Sequence, residues 1–308
     1  MLRLPKRSAL LLAAALAVGG VVGCASLDEW QRQAIFNPVK NNPRWFSEPL
    51  PGTEQYDVSL ANGHTLHFWY IPQADAERAP TVLYLHGARW NLNGSVFRMS
   101  RWVDLGFNVL AVDYRGFGKS TEILPSEDTA YEDARAALAE LKRREPDPAQ
   151  RFIYGHSLGG ALAVDLAAGP LKEPGNEIGG IVIEATFTSI PAIVRETKWG
   201  WVPGIGLAVT QTFDSAAKIG RVDAPLLIIH GTADNIVPHT MADELYAAAA
   251  SRDKQLVKID GATHSGASRV GGATYRNAVL GFVRRATSAS AAATSTAAGA
   301  GSIADSAR

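Results

Sequence analysis

The run "RFIYGHSLGGALAVDL", residues 151–166, changes character in its middle. An apolar, β-rich run stops at Gly155, one hydroxyl stands at Ser157 between glycines, and an alanine- and leucine-rich segment follows. Strand signals before and helix signals after predict a strand, a sharp turn and a helix. A turn that tight holds its central residue in a strained backbone conformation. Side chains two before and two after it would collide, which calls for Gly155 and Gly159. The Ser157 oxygen is then exposed at the tip, and the helix N-terminus behind it favours developing negative charge. Alone, G-x-S-x-G is short. Between a strand and a helix it marks a nucleophile.

Outward from this run the pattern repeats. "EQYDVSL" (54–60) and "HTLHFWYIP" (64–72) are joined at Asn62-Gly63, a strong hairpin signal. Residues 81–87, 108–116, 151–157, 179–187, 225–231 and 255–261 are short apolar runs ending in glycine or polar residues. They read as strands buried on both faces of a parallel sheet. The clearest helix is 126–144, with Ser126 as its cap, Glu127 and Asp128 in the first turn, and Lys142, Arg143 and Arg144 in the last. Ala130, Ala134, Leu138 and Leu141 mark its apolar face, and Pro146 and Pro148 stop it. Together these predict an α/β fold: a mostly parallel, doubly wound sheet of eight strands, with an antiparallel hairpin at its start.

In such sheets the sites form beyond the carboxyl ends of the strands. A serine hydroxyl is a weak nucleophile, so it needs a base and an acid to orient that base. Asp234 follows the strand in "PLLIIHGTADNIVP" and His264 follows the next, in "QLVKIDGATHSG". One oxyanion donor is the N–H after the nucleophile, that of Leu158.

"LYLHGARWN", "AVDYRGFGKS", "YGHSLGG", "LIIHGTADNIVP" and "IDGATHSG" resemble the motifs of the α/β-hydrolase family. The likeness is greatest to the small single-domain group related to eukaryotic protein depalmitoylases. It spans almost the whole mature chain and implies a hydrolase domain over 51–285 with a minimal lid over about 187–223, a Ser157–Asp234–His264 triad and no cofactor. It also implies that Ala88, after His86-Gly87, supplies the second oxyanion N–H. This chain departs from the family where bulky Arg89 and Trp90 follow. Either they shape the acyl or leaving-group pocket, or they face solvent or pack under the loop.

Rival residues have bland roles. His86 and His230 read as structural hydrogen-bonders, His156 as a packing residue and His239 as exposed. His64 and His67 fall on opposite faces of a strand, so no shared metal is expected. Asp113 and Glu184 are the rival acids; the resemblance gives Asp113 a loop-holding role. Within the lid, Trp199, Trp201, Val202, Ile205 and Leu207 either line an acyl groove or pack in the core.

The ends stand apart from the fold. Residues 1–24 have a basic start (Arg3, Lys6, Arg7), an apolar run over 8–18 and the ending "VVGC". This is a secretory signal, too short for an ordinary spanning helix. Its ending resembles a bacterial lipobox, which implies cleavage before Cys24, the one cysteine in the chain, and lipid on it. Ala25 and Ser26 follow where an aspartate would retain the protein at the inner membrane. The expectation is a bacterial cell-envelope lipoprotein, on the outer membrane facing the periplasm in a Gram-negative host. Residues 25–50 read as a tether, and 286–308, rich in Ala, Ser and Thr, as a disordered tail. Thirty basic and thirty acidic side chains cancel, which gives no electrostatic case for nucleic acid. The expected partners are an ester or thioester substrate with an acyl chain and, through lipidated Cys24, the bilayer. Alternatives on the same residues are a peptidase, an acyltransferase or a non-catalytic envelope binding protein.

Overall fold

The computed structural model describes residues 25–39, 46–198 and 200–305, with side chains described as far as 288. The signal segment with Cys24, and Trp199, lie outside the described residues.

All eight expected strands form: β1 (Glu54–Ser59), β2 (Thr65–Ile71), β3 (Thr81–Leu85), β4 (Asn108–Asp113), β5 (Arg151–His156), β6 (Gly180–Glu184), β7 (Leu226–Gly231) and β8 (Lys254–Ile259). They make one sheet in the order β1-β2-β4-β3-β5-β6-β7-β8. The β1–β2 hairpin is antiparallel and β2 joins β4 antiparallel. From β4 through β8 every pairing is parallel. Strands β3 to β7 are buried along their whole length, as continuous apolar runs require. β8 differs from the expectation. It is the edge strand and mostly half-buried, because nothing pairs beyond it.

Helices cover both faces. One apolar layer packs the sheet against α3 (Glu127–Arg144), α4 (Leu158–Ala168), α6 (Ser215–Ile219) and α7 (Thr240–Ala248). The other packs it against α2 (Leu92–Asp104) and α8 (Ala267–Asp305). Each fully buried Leu, Ile, Val or Phe in these layers contributes about 1.5–3 kcal/mol. Helix α3 begins as its sequence dictates, with a reciprocal capping box between Ser126 and Thr129. Among the described residues, the span 187–223 holds only α5 (Ile190–Glu196), a short 3₁₀ turn (Ile205–Ala208) and α6.

Both expectations for the ends change. The segment from residue 25 is not a free tether: residues 25–36 form helix α1, and Phe36 is fully buried against Phe117 and Phe213. Instead of a disordered tail from 286, α8 continues to Asp305, with a break at Gly272 (φ 44°). Alanine has the highest helix propensity, and extending a helix already docked on the sheet costs no nucleation.

Candidate active site

At the end of β5 the chain turns through Ser157, whose φ of 54° and ψ of −116° are costly for a residue with a side chain. A Cβ on Gly155 would collide with the Gly159 carbonyl oxygen, and one on Gly159 with the Leu85 carbonyl oxygen. Both glycines are therefore required by contact, as the sequence implied. A third requirement was not legible: a Cβ on Gly160 would strike Thr186 Oγ1 on the neighbouring crossover. The Ser157 N–H donates to the Glu184 carbonyl (2.9 Å), which pins the elbow to β6.

The loops after β7 and β8 bring Asp234 and His264 together. His264 Nδ1–H donates to Asp234 Oδ2 at 2.8 Å, which leaves Nε2 as the basic nitrogen. The other oxygen, Oδ1, accepts the N–H groups of Ile236 and Val237 at 2.9 Å each. His230 lies 3.1 Å from Oδ2 and shares its Nε2–H with the Val237 carbonyl at 3.0 Å. Burial opposes charge on Asp234, but bonds from His230, His264 and Val237 N–H outweigh it. They hold the carboxyl well below the usual carboxylate range. Asp234 thus stays ionised and fixes the imidazole. His230, read from sequence only as structural, proves to orient the acid. Nothing local in the sequence signals it.

His156, beside Ser157, links this pair to the elbow. Its Nε2 is 2.9 Å from the His264 carbonyl and 3.0 Å from Arg98 Nη2, and the two histidine rings meet edge to face at 5.0 Å. A neutral ring nitrogen serves one of those two partners at a time. Burial, the Arg98 cation and His264 push His156 well below an ordinary histidine, so it stays neutral and does not compete as a base.

The loop after β3 runs against the elbow: a Cβ on Gly87 would lie 3.4 Å from Ser157 Cβ. Among the described residues, neither the Ala88 N–H nor the Leu158 N–H has a hydrogen-bond partner. The next residue, Arg89, has φ 74° and is clamped by α1 and its continuation. Its N–H donates to the Phe36 carbonyl (2.9 Å), and its carbonyl accepts the Val39 N–H (2.7 Å). The Arg89 side chain is exposed, whereas Trp90 folds onto the start of α2, its Cβ 3.1 Å from where a Cβ on Gly94 would be.

The rival acids are occupied elsewhere. Glu184 Oε2 accepts the hydroxyls of Tyr154 (3.0 Å) and Tyr275 (2.9 Å) inside the core. Asp113 Oδ1 accepts the Leu92 N–H at 2.9 Å and holds the start of α2. His239, expected at the surface, is half-buried. It lines a cleft of about 460 Å³ beside Asp234, with Ile193, Glu196 and Thr197 from the lid on one side and Ile236 and Pro238 on the other. Trp201 and Leu207 neither pack in the core nor line an enclosed groove; they are exposed. No group of three His, Cys, Asp or Glu able to hold a metal occurs among the described residues.

A family model described as serine aminopeptidase, S33, matches residues 76–202 and 189–267. The chain belongs to the α/β-hydrolase family. Among its relatives, the uncharacterized protein Rv2307c of Mycobacterium tuberculosis is 32% identical over 254 residues, covering 82% of this chain and 87% of its own length. The α/β-hydrolase domain-containing protein WAV2 of Arabidopsis thaliana is 28% identical over 293 residues, 87% of this chain and 92% of that protein. The fold is shared with the esterase Pf2001 of Pyrococcus furiosus, at a TM-score of 0.64 and 19% identity over 82% of this chain and 98% of that one. These likenesses make the chain a hydrolase by family.

Proposed function

We propose that the protein is a serine hydrolase that cleaves carboxylic ester or thioester bonds through an acyl-enzyme. We place it in the bacterial cell envelope, tethered through lipid on Cys24. The observation that carries the chemistry is the Asp234–His264 pair, bonded at 2.8 Å and held by its backbone beside His156, the neighbour of Ser157. Ser157 attacks the substrate carbonyl as His264 Nε2 takes its proton. Asp234 stabilises the imidazolium that forms. The developing oxyanion accepts the free N–H groups of Ala88 and Leu158. His264 returns the proton to the departing alkoxide or thiolate, and the acyl group remains on Ser157. His264 then deprotonates a water, which attacks the acyl-enzyme and releases the acid.

An amide substrate is the second reading, favoured by the description of the matched family model. The test is hydrolysis of p-nitrophenyl esters from acetate to palmitate, beside a p-nitroanilide series, by the full chain in detergent. Ser157→Ala is run in parallel. The expected result is ester turnover that falls by about 10³-fold or more in the variant. Turnover of the anilides alone would move the reading to a peptidase. No turnover, with no fluorophosphonate labelling of Ser157, would leave a binding protein.

A further inference from the structure

Among the described residues, the three most exposed large apolar side chains, Trp30, Trp201 and Leu207, lie on two elements, α1 and the lid. Helix α1 exposes Leu27 (41%) and Trp30 (65%), three residues apart and so on one helix face. The lid exposes Trp201 (78%) and Leu207 (93%). The two elements are fastened side by side. Gln31 donates to the Ala208 carbonyl (2.7 Å) and accepts the Thr210 N–H (2.9 Å). Asp28 accepts from the Thr210 hydroxyl (2.7 Å) and from Gln211 Nε2 (2.9 Å). Trp30 precedes Gln31 and Leu207 precedes Ala208 in the chain, so these exposed side chains belong to the two elements that the hydrogen bond joins.

A monomer gains nothing from holding these groups in water, and such patches mark interaction sites. The occupant is indicated by what precedes α1. Residues 1–24 are a basic start, an apolar run and a cysteine, and in the sequence they immediately precede the described part of α1. Trp30 is five residues into that helix, about 7.5 Å along its axis. Tryptophan and leucine on an exposed face next to a membrane attachment suit the lipid–water boundary, where an apolar body and a polar ring edge are both accommodated.

We propose that the face formed by α1 and the lid, with Leu27, Trp30, Trp201 and Leu207, lies in the interfacial layer of a bilayer. Acyl substrates then reach the cleft from the lipid. The cleft beside Asp234 is walled in part by the same lid, through Ile193 and Glu196 of α5 and Thr197 after it. The substrate class is therefore a long-chain acyl ester or thioester resident in the membrane. The inference rests on the tethered-hydrolase reading above.

The experiment separates the two. The full chain is reconstituted into phosphatidylcholine–phosphatidylglycerol vesicles, with and without bromine on the acyl chains, and tested by flotation and tryptophan fluorescence. Trp30→Phe/Trp201→Phe keeps the apolar bulk and removes two reporters. The expected result is that the chain floats and that bromine-dependent quenching falls markedly in the double variant. Flotation with equal quenching in both would overturn the docking face and leave the tether standing. That outcome also covers a second copy of the chain seated on the patch. Failure to float would overturn the tether and the docking face together. An activity arm uses Trp30→Ser/Leu207→Ser, which lies outside the catalytic machinery. Hydrolysis of soluble p-nitrophenyl acetate should stay unchanged, while hydrolysis of p-nitrophenyl palmitate embedded in the vesicles falls several-fold. Equal loss on both substrates would also overturn the inference.

Discussion

His86 and Asp113, both fully enclosed behind the oxyanion loop, form a proton-sensitive pair. His86 Nδ1 is 2.7 Å from the Gly87 carbonyl and so carries the hydrogen, and burial lowers the ring to about 4. Its bare Nε2 faces Asp113 Oδ1 at 3.8 Å. Burial raises Asp113 to about 7, against the N–H groups of Leu92 and Lys119 that favour its charge. An ordinary aspartate titrates near 3.9, so between about pH 4 and 7 the folded state holds a proton that the unfolded chain has lost. The sign follows for Asp113 alone: its contribution to stability declines as pH rises through that window, whereas buried His86, protonated only in the unfolded chain between about pH 4 and 6.5, makes an opposing contribution that rises with pH. Asp113→Asn keeps the acceptor for Leu92 and never ionises, so it removes the declining contribution alone, and its melting temperature relative to wild type should rise from about pH 4.5 to 7.5. Parallel curves for the two proteins would assign the pH dependence to other groups. At the elbow, Gly159→Ala forces a Cβ into the Leu85 carbonyl, and the expected outcome is loss of soluble, folded protein. The need for glycine there was legible in the sequence from G-x-S-x-G, but the Leu85 carbonyl as the group it avoids was not, because it lies on another strand. The partner of Asp234 was half legible. His264 had its place after a strand, but His230 sits inside β7 as an ordinary buried residue. Only the turn of the loop brings Asp234 back onto it.

Helix α1 shows what an element does that its sequence conceals. Residues 25–50 read as a tether. The hold of α1 on the fold comes from long-range bonds, which no local pattern encodes. Arg32 donates to the carbonyls of Pro125 and Leu124, Gln31 reaches the lid, and Phe36 and Val39 clamp Arg89 beside Ala88, the proposed oxyanion donor. Truncating Phe36 should therefore act twice. Stability should drop by about 3–5 kcal/mol, the usual cost of emptying a buried phenylalanine site. In the protein that still folds, kcat should fall more than KM rises, since a displaced oxyanion donor is missed chiefly in the transition state. A second pair of variants isolates the loop from the core. Arg89→Gly tolerates φ 74° and should keep kcat within a few-fold of wild type, whereas Arg89→Val resists that conformation and should lower it. Equal kcat values for the glycine and valine variants on p-nitrophenyl butyrate would show that the clamp does not govern the oxyanion site. By contrast, α3 was legible almost to the residue, since its cap, dipole-matched charges and apolar face all lie within its own nineteen-residue stretch from 126 to 144.

At the scale of the whole molecule, strand order assembles the site. Ala88 follows β3, Ser157 follows β5, Asp234 follows β7 and His264 follows β8; with β6 between, these strands are consecutive neighbours in the sheet. Parallel pairing brings all four loops to one edge. Eight strands and the class of sheet were legible from apolar runs and their spacing. Their lateral order was not, because it is set by crossovers between segments far apart in the chain. The far end of the molecule gives a clean test of where the domain stops. Helix α8 packs Tyr275, Val279, Phe282 and Ala286 under the sheet, and Ala286 is the last buried residue among the side chains described. A chain ended after Ser288 should retain its kcat/KM and melt within about 2 °C of the full chain, since no described core contact is removed. A chain ended after Ala278 loses Val279, Phe282 and Ala286 together. Removal of one buried phenylalanine alone costs about 3–5 kcal/mol. Against a total stability of about 5–15 kcal/mol, the shorter chain should fail to fold. A large loss of melting temperature on removing only residues 289–308 would mean that the helical extension braces the domain, and the boundary would then lie at the end of the helix.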